Sequence, residues 1–280
     1  MSMKYPEIPA ERTDDLHNLH IADRADLVLF MAGNQFMAMP AIVAAFQQEH
    51  PEVKNIFYET LPPGLELKQI IAGGAVFQGN LINVSPDVYS AVNREAMKTL
   101  EQKHFIDEGD SFTYLHNRLT LMVPVGNPAN IKSVTDMGKN DVRVSQPDPQ
   151  YEDIAHHIIT MYRQAGGEAL VRRIMDEKRT LGKTILTTVH HRETPARIKE
   201  KTVDVGPVWA TETIYAGESG LAFEVVEPGE VLDQRDSVKY YICRLKNAGN
   251  PENAEKFLYF IKSPIAQRIY ATFGFVPGFE

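Results

Sequence analysis

The sequence predicts an α/β fold of about two domains, and three observations carry that expectation. A short apolar strand, a turn of small residues and an amphipathic helix recur three times ahead of Asn117, the pattern of right-handed crossovers that build a parallel sheet. The 280 residues, set against roughly 150 for a typical domain, make two compact bodies. The composition, 43% apolar and 24% charged, is that of a globular chain rather than a disordered or fibrous one. The longest apolar runs, residues 27–32 and 40–46, fall short of the roughly 20 residues that span a bilayer.

Residues 1–24 are polar, rich in Asp, His and Arg and without helical or alternating period, and are read as an extended N-terminal arm. Residues 25–31 form a first strand, Gly33-Asn34 a turn, and 37–49 a helix with Met39, Ile42, Val43 and Phe46 on its apolar side. Pro51 stops that helix. A second strand (54–60) leads through Pro62-Pro63-Gly64 into a helix from Leu65, with Leu67, Ile70 and Ile71 on one face. A third strand (81–84) leads to Ser85-Pro86-Asp87 and another helix. Turns after the carboxyl ends of parallel strands open on one side, where helix amino termini converge and ligands bind. Residues 33–35, 61–64 and 85–88 are therefore the candidate turns.

Residues 117–124 start a new pattern with a strand, followed by strand 142–145, the turn 146–149, a helix over 151–165 closed by Gly166-Gly167, and a helix over 168–177. Residues 202–209 and 240–245 are two more buried strands, and helices over 251–261 and 264–273 close the chain. Cys243, the only cysteine, lies in the second of those strands as a small hydrophobe.

Polar chemistry concentrates in residues 189–197, Val-His-His-Arg-Glu-Thr-Pro-Ala-Arg. Thr194 before Pro195 is a helix-start signal, since a threonine oxygen accepts from free amides and a proline at the first helical position has none to waste. A helix start favours an anion, and Arg192 with His190 or His191 adds charge-assisted donors. Two other readings stand beside that one: Arg192 pairs with Glu193 or another acid and the histidines are ordinary loop residues, or His190, His191 and Glu193 hold zinc, although adjacent histidines match no zinc spacing. His156-His157 lies in a helix and is read as structural, one ring half-buried and the other solvated. The chain has no Gly-x-Ser-x-Gly elbow, no phosphate loop ending in Gly-Lys-Ser or Gly-Lys-Thr, and no His-Glu-x-x-His.

Lys plus Arg (29) against Asp plus Glu (37) gives a formal charge of −8, which speaks against nucleic acid as a partner. Residues 1–6 carry no apolar stretch of signal-peptide length, which leaves a cytoplasmic chain or one whose export signal was removed.

Three segments carry a family resemblance. They are Asn117-Arg118-Leu119-Thr120-Leu121-Met122-Val123-Pro124-Val125-Gly126-Asn127-Pro128, then Asp204-Val205-Gly206-Pro207-Val208-Trp209-Ala210-Thr211-Glu212, and Asn250-Pro251 through Ser263-Pro264 to Gly274-Phe275-Val276-Pro277. Their order, over residues 25–277, resembles the periplasmic solute-binding proteins of ABC transporters, in particular the molybdate and tungstate type. The resemblance implies a type II periplasmic-binding fold of two lobes, each a mixed, mainly parallel sheet flanked by helices. Lobe I then spans 25–117 and 238–280 and lobe II 118–237. It also implies an extracytoplasmic or periplasmic place with the signal peptide absent from this sequence, and capture of a small oxyanion in the interlobe cleft. The chain would act as a monomer that docks on a membrane permease, with no cofactor, no metal and no catalysis.

In that family hydroxyls, backbone amides and helix starts hold the oxyanion. The first serine-bearing turn maps here to Ala32-Gly33-Asn34-Gln35, the second to Leu61-Pro62-Pro63-Gly64, and a common tyrosine to Trp209. Pro62 and Pro63 have neither hydroxyl nor amide hydrogen, so Gly64 and Leu65 are left to supply that turn's amides. The expected ligand-binding residues are Asn34, Gly64, Tyr151, His191, Arg192, Thr194 and Trp209. The backbone at Pro86-Asp87 is a further donor, with Asp87 capping its own helix. A site that loses hydroxyls and gains Arg192 and imidazoles also suits an altered oxyanion or a small carboxylate. The same fold serves ligand-sensing modules, and a metal-assisted hydrolase using His190, His191 and Glu193 is the remaining alternative.

Overall fold

The computed structural model describes residues 5–150, 152–188 and 193–279. The chain forms two compact units: Met1–Leu115 with Lys239–Thr272 and Pro277–Glu280, and His116–Val238 with Phe273–Val276.

In the first unit six strands lie side by side in the order Phe112–His116, Lys239–Arg244, Val88–Ala91, Leu27–Phe30, Ile56–Glu59 and Leu16–His17. Leu27–Phe30 is parallel to both Ile56–Glu59 and Val88–Ala91, while Lys239–Arg244 runs antiparallel to Val88–Ala91 and Leu16–His17 to Ile56–Glu59. Every residue of the three parallel strands is buried, as expected where helices cover both faces of a sheet. Helices Met39–Glu49, Pro63–Ala72 and Arg94–Gln102 follow those strands in turn. Phe46 packs edge-on against Phe257 at 5.3 Å and against Phe260 at 5.5 Å, which fixes the first of these helices to Pro251–Ile261. Cys243 is fully buried in the sheet, and burial pushes its thiol pKa up.

Two expectations are corrected here. The third parallel strand is Val88–Ala91, not residues 81–84. Asn80–Ile82 instead folds back on Ala75–Phe77 through Gln78 and Gly79, whose φ values of 48° and 78° make a tight two-residue hairpin turn. The N-terminal segment is not an extended arm. Glu7–Ile8 pairs with Ala75–Phe77, Leu16–His17 closes the edge of the main sheet, and short 3-10 segments cover Ala10–Asp15 and Leu19–Arg24. Ile8, Leu16 and Ala22 are buried, and these three scattered apolar residues hold a polar segment down without any helical period.

Relocating the strand relocates Asp87, which now precedes it at the amino end of the sheet. Its carboxylate accepts from the backbone amides of Val28 (2.8 Å) and Asn250 (2.7 Å) and from the Asn250 side chain (3.1 Å). Its own amide donates to Val28 O at 2.9 Å. Asp87 therefore caps no helix of its own and offers no donor to a ligand. The cap of Arg94–Gln102 is Asn93, whose Oδ1 accepts from the Ala96 amide at 2.9 Å.

The second unit is built on Leu119–Val123, flanked by antiparallel Gly206–Trp209 and Glu224–Val226. Val144–Gln146 pairs in parallel with Thr184–Leu186 and reaches the first sheet by a parallel bridge from Val144 to Val205. The glycine pair interrupts Ile154–Arg172 as a kink, with Gly167 at φ 67°, and a π-turn over Arg173–Glu177 follows. Phe112–His116, Thr184–Leu186 and Glu224–Val226 are strands that the sequence does not announce; two are only three residues long. Among the described residues no helix is long and apolar enough to cross a membrane.

Replacing Asp87 by alanine leaves the buried Val28 amide and the partly buried Asn250 amide without their acceptor and is expected to lower the stability of the first unit by about 3 kcal/mol. The midpoint of urea unfolding measures it. Asp87→Asn, which keeps one oxygen acceptor, loses less.

Candidate functional site

At the carboxyl edge of the first unit's parallel strands stand Gly33–Gln35, residues 60–64, and Val92-Asn93. Gly33 is required there. A Cβ on it would lie 2.9 Å from Thr60 O and 3.0 Å from Leu61 O, so the first two turns press backbone against backbone. Gln35, fully buried, fastens the first turn from below. Its Oε1 accepts from the hydroxyls of Tyr114 (2.7 Å) and Tyr270 (2.9 Å), and its Nε2 donates to Ser90 Oγ at 3.1 Å. Ser90 Oγ also accepts the Ala32 amide at 3.0 Å.

Asn34 is 8% exposed; its amide nitrogen donates to the Tyr240 hydroxyl and its Oδ1 has no partner. Half a turn of the amide lets the hydroxyl donate to Oδ1 and frees an N–H, the group an anion needs. In the second turn Leu65 donates its amide to Pro62 O at 2.8 Å, so it is spent on the helix. Gly64, exposed in the first turn of Pro63–Ala72, is left as that turn's donor, because the first amides of a helix have no intrahelical acceptor and Pro63 has no N–H. The third turn presents Arg94, exposed as the first residue of its helix. Sequence reasoning missed Arg94, because the strand before it was placed too early.

Beneath the second turn lies a buried acidic pair that the sequence reading also missed. Glu59 ends its strand and Glu66 sits in the first turn of the following helix, both fully buried. Glu59 Oε1 accepts from Gln69 Nε2 at 2.9 Å, and Glu66 Oε1 from the Leu61 amide at 3.2 Å. Burial raises the Glu59 pKa from 4.5 to about 8, and raises that of Glu66 well above the ordinary carboxylate range, with the charge of Glu59 adding to the effect.

In the second unit Val144–Gln146, Thr184–Leu186 and Gly206–Trp209 run the same way, so residues 147–150, 187–188 and 210 share one edge. The Asp148 amide donates to Thr187 Oγ1 at 3.1 Å, and the Thr188 amide to Glu193 Oε1 at 2.8 Å. Thr194 is not the cap before a helix starting at Pro195. The helix is Glu193–Lys199, and Thr194 in its first turn is fully buried, with Oγ1 2.8 Å from Ser145 Oγ. Gly206 makes room for it, since a Cβ there would meet Thr194 Cγ2 at 2.2 Å. Trp209 is 2% exposed at the end of its strand, its ring tilted 56° against His157 at 5.8 Å. His157 is half-buried, and burial lowers its pKa; His156 is exposed.

Arg197 is bound to Ser145 Oγ (3.1 Å), Ile185 O (3.0 Å) and Leu186 O (2.9 Å), and also to Glu193 (2.8 Å). The Glu193 carboxylate is thus engaged by Arg197 and Thr188. Among the described residues no group of three His, Cys, Asp or Glu side chains fits a metal ion. Tyr151, His190, His191 and Arg192 lie outside the described residues. The structure brings Asn34 and Gly64 to one edge of the first unit and puts Thr194 and Trp209 in the interior of the second.

The acidic pair makes stability depend on pH. Unfolded, Glu59 loses its proton above about 4.5; folded, it holds it to about 8. The Glu59 contribution to stability is therefore full below pH 4.5 and falls as pH rises towards 8, by about 1.4 kcal/mol per unit. Urea unfolding at pH 5 and pH 8 is expected to show this loss, and Glu59→Gln to flatten it.

Comparison with known proteins places this architecture. The sequence matches the family described as bacterial extracellular solute-binding protein over residues 27–276. Among curated proteins none matches the sequence. The periplasmic molybdate-binding protein of Azotobacter vinelandii superposes with a TM-score of 0.69 at 17% identity, covering 89% of this chain and 98% of its own. For the sulfate-binding protein of Mycobacterium tuberculosis the values are 0.70, 17%, 90% and 86%. For the tungstate-binding protein of Desulfovibrio alaskensis they are 0.63, 14%, 91% and 99%. These structures share this chain's fold, the mixed α/β type II periplasmic-binding fold. With the family match covering most of its length, the chain belongs to the bacterial extracellular solute-binding proteins.

Proposed function

We propose that the chain is the solute-capturing component of an ABC transporter, that it works outside the cytoplasmic membrane in the periplasm, and that its solute is a small oxyanion of the molybdate or tungstate kind. The observation that carries this reading is the donor set at the first unit's edge. Gly64 offers an amide at a helix start, Asn34 offers a side-chain amide, and Arg94 opens the neighbouring helix. Dipoles fixed by the fold hold an anion without having to reorganise, and a helix start adds favourable potential. The chemistry is capture and release rather than bond-breaking. The chain works as a monomer, and a closed form favoured by the ligand is what a membrane permease recognises.

The second unit's edge includes Thr188, and the four residues next in sequence contain His191 and Arg192, which are proposed to add charge-assisted donors. Tyr151 follows the other turn of that edge, at Gln150. Thr194 and Trp209 act by supporting this edge from within: Thr194 through Ser145, Trp209 by packing on His157. The Pro62-Pro63 pair favours a second reading, a different oxyanion or a small carboxylate, because that turn has fewer donors than a serine-bearing one.

A thermal-shift series with molybdate, tungstate, sulfate, phosphate and small carboxylates tests both. At a hundredfold excess over Kd the true ligand adds about 2.7 kcal/mol. The expected result is a rise in Tm of several degrees for molybdate or tungstate. A rise for a carboxylate alone would select the second reading, and no rise for any of them would remove the binding role. Arg192→Ala is expected to weaken ligand binding by about 1.5–3 kcal/mol in titration calorimetry; an unchanged Kd would take Arg192 out of the site.

A further inference from the structure

We propose that Glu59 and Glu66 form a buried proton site whose protonated state is the anion-binding state, so that anion capture at the edge formed by residues 33–35 and 60–64 takes up a proton. The linkage rests on the anion-binding reading above; the proton site itself rests on hydrogen-bond accounting.

Three oxygens in this cluster are buried without a partner: Glu59 Oε2, Glu66 Oε2 and Gln69 Oε1. The donors present are already used, the Gln69 amide on Glu59 Oε1 and the Leu61 amide on Glu66 Oε1. Glu66 and Gln69 are neighbours on one helix face by their i,i+3 spacing, and Gln69 touches Glu59. A proton on either carboxyl turns one orphan acceptor into a donor for another of the three. It also removes a buried charge.

Among the described residues the surroundings offer no other neutralising group. From the N-terminal segment, Asp15 faces Thr60, whose hydroxyl lies 3.5 Å from its carboxylate, and Asp15 is paired with Arg12 at 3.1 Å. His17, stacked on Tyr58, reaches Thr60 Oγ1 at 3.4 Å, and burial disfavours its charged form. Leu27–Phe30 carries no titratable side chain. Val88–Ala91 contributes Tyr89, whose hydroxyl donates to Pro63 O at 2.9 Å. Phe112–His116 contributes Tyr114, whose buried hydroxyl is raised in pKa by burial first and also by the charge of Glu66. Lys68, on the same helix as Glu66, is exposed.

The consequence for binding is electrostatic. Glu66 sits in the first turn of the helix that presents the Gly64 amide, so its carboxylate would occupy the same positive potential that an anion needs. Protonated, it leaves that potential to the ligand. An anion held there opposes deprotonation of the pair by the same free energy, so binding and proton uptake are linked.

The test has two arms. Infrared spectroscopy of the ligand-free protein at pH 7 reads the C=O stretch of protonated carboxyls, with Glu59→Gln, Glu66→Gln and the double variant for assignment. Calorimetric titration with molybdate between pH 6 and 9, in buffers of different protonation enthalpy, reads protons taken up per anion bound. The expected results are a protonated-carboxyl band lost in the variants, close to one proton taken up at high pH, and affinity falling about tenfold per pH unit there. The double variant is expected to bind with the low-pH affinity at every pH. Binding without proton uptake and with pH-independent affinity would overturn the linkage while leaving the anion-binding reading intact. If no binding occurs at any pH, the binding reading and the linkage fall together. The infrared band then still decides the proton site, and its absence at pH 7 overturns that too; should the variants fail to fold, the native protein's pH series alone decides the linkage.

Discussion

The carboxyl edge of the first unit's parallel strands depends on one close approach, the Gly33 Cα against the carbonyls of Thr60 and Leu61. Everything presented there hangs on two turns from different strands sharing one layer of space. With the turns in contact, Asn34 lies over Tyr240 and Gln35 reaches Ser90, Tyr114 and Tyr270. Leu61, held by Glu66, fixes where the helix bearing Gly64 begins. A side chain at residue 33 would part the turns and scatter the donors. The polar network below serves the same end, since buried hydroxyls and amides that satisfy one another admit only one arrangement.

The two units reach a comparable end by different chemistry. In the first, neutral groups and a carboxyl pair short of hydrogen support the edge. In the second, Arg197, itself paired with Glu193, and the Thr194–Ser145 contact tie two strands, Val144–Gln146 and Thr184–Leu186, to one short helix. Arg197 illustrates how a cation in a polar segment is spent on backbone carbonyls of its own unit. Charge in a sequence therefore says little about charge offered to a ligand.

Strand-turn-helix periodicity made the α/β class legible, and the apolar runs at 27–30 and 56–59 stood out because both faces of each strand are buried. The third strand was harder. Residues 81–84 and 88–91 are both apolar enough, and what separates them is the left-handed Gln78-Gly79 turn, which folds the first back on its neighbour. That single displacement hid Arg94 and miscast Asp87 as a cap. Asn34 and Gly64 were legible as turn residues. Glu59 and Glu66 were not, because a carboxylate in a sequence looks solvated until the tertiary structure removes its water. The N-terminal segment escaped for a related reason: Ile8, Leu16 and Ala22 have no period, and only the surface they cover explains them.

The first unit is assembled from both ends of the chain. Its sheet receives Lys239–Arg244 beside Val88–Ala91, and the Asp87 carboxylate grips Asn250, 163 residues downstream. During synthesis the early strands are thus left with an uncovered flank until nearly the whole polypeptide has emerged, while the second unit, almost continuous in the chain, has its partners close at hand. A nascent chain halted before residue 239 carries apolar strands with nothing to close against. The unit that opens the sequence is therefore the one that closes last, once the segment from Lys239 onward can take its place in the sheet.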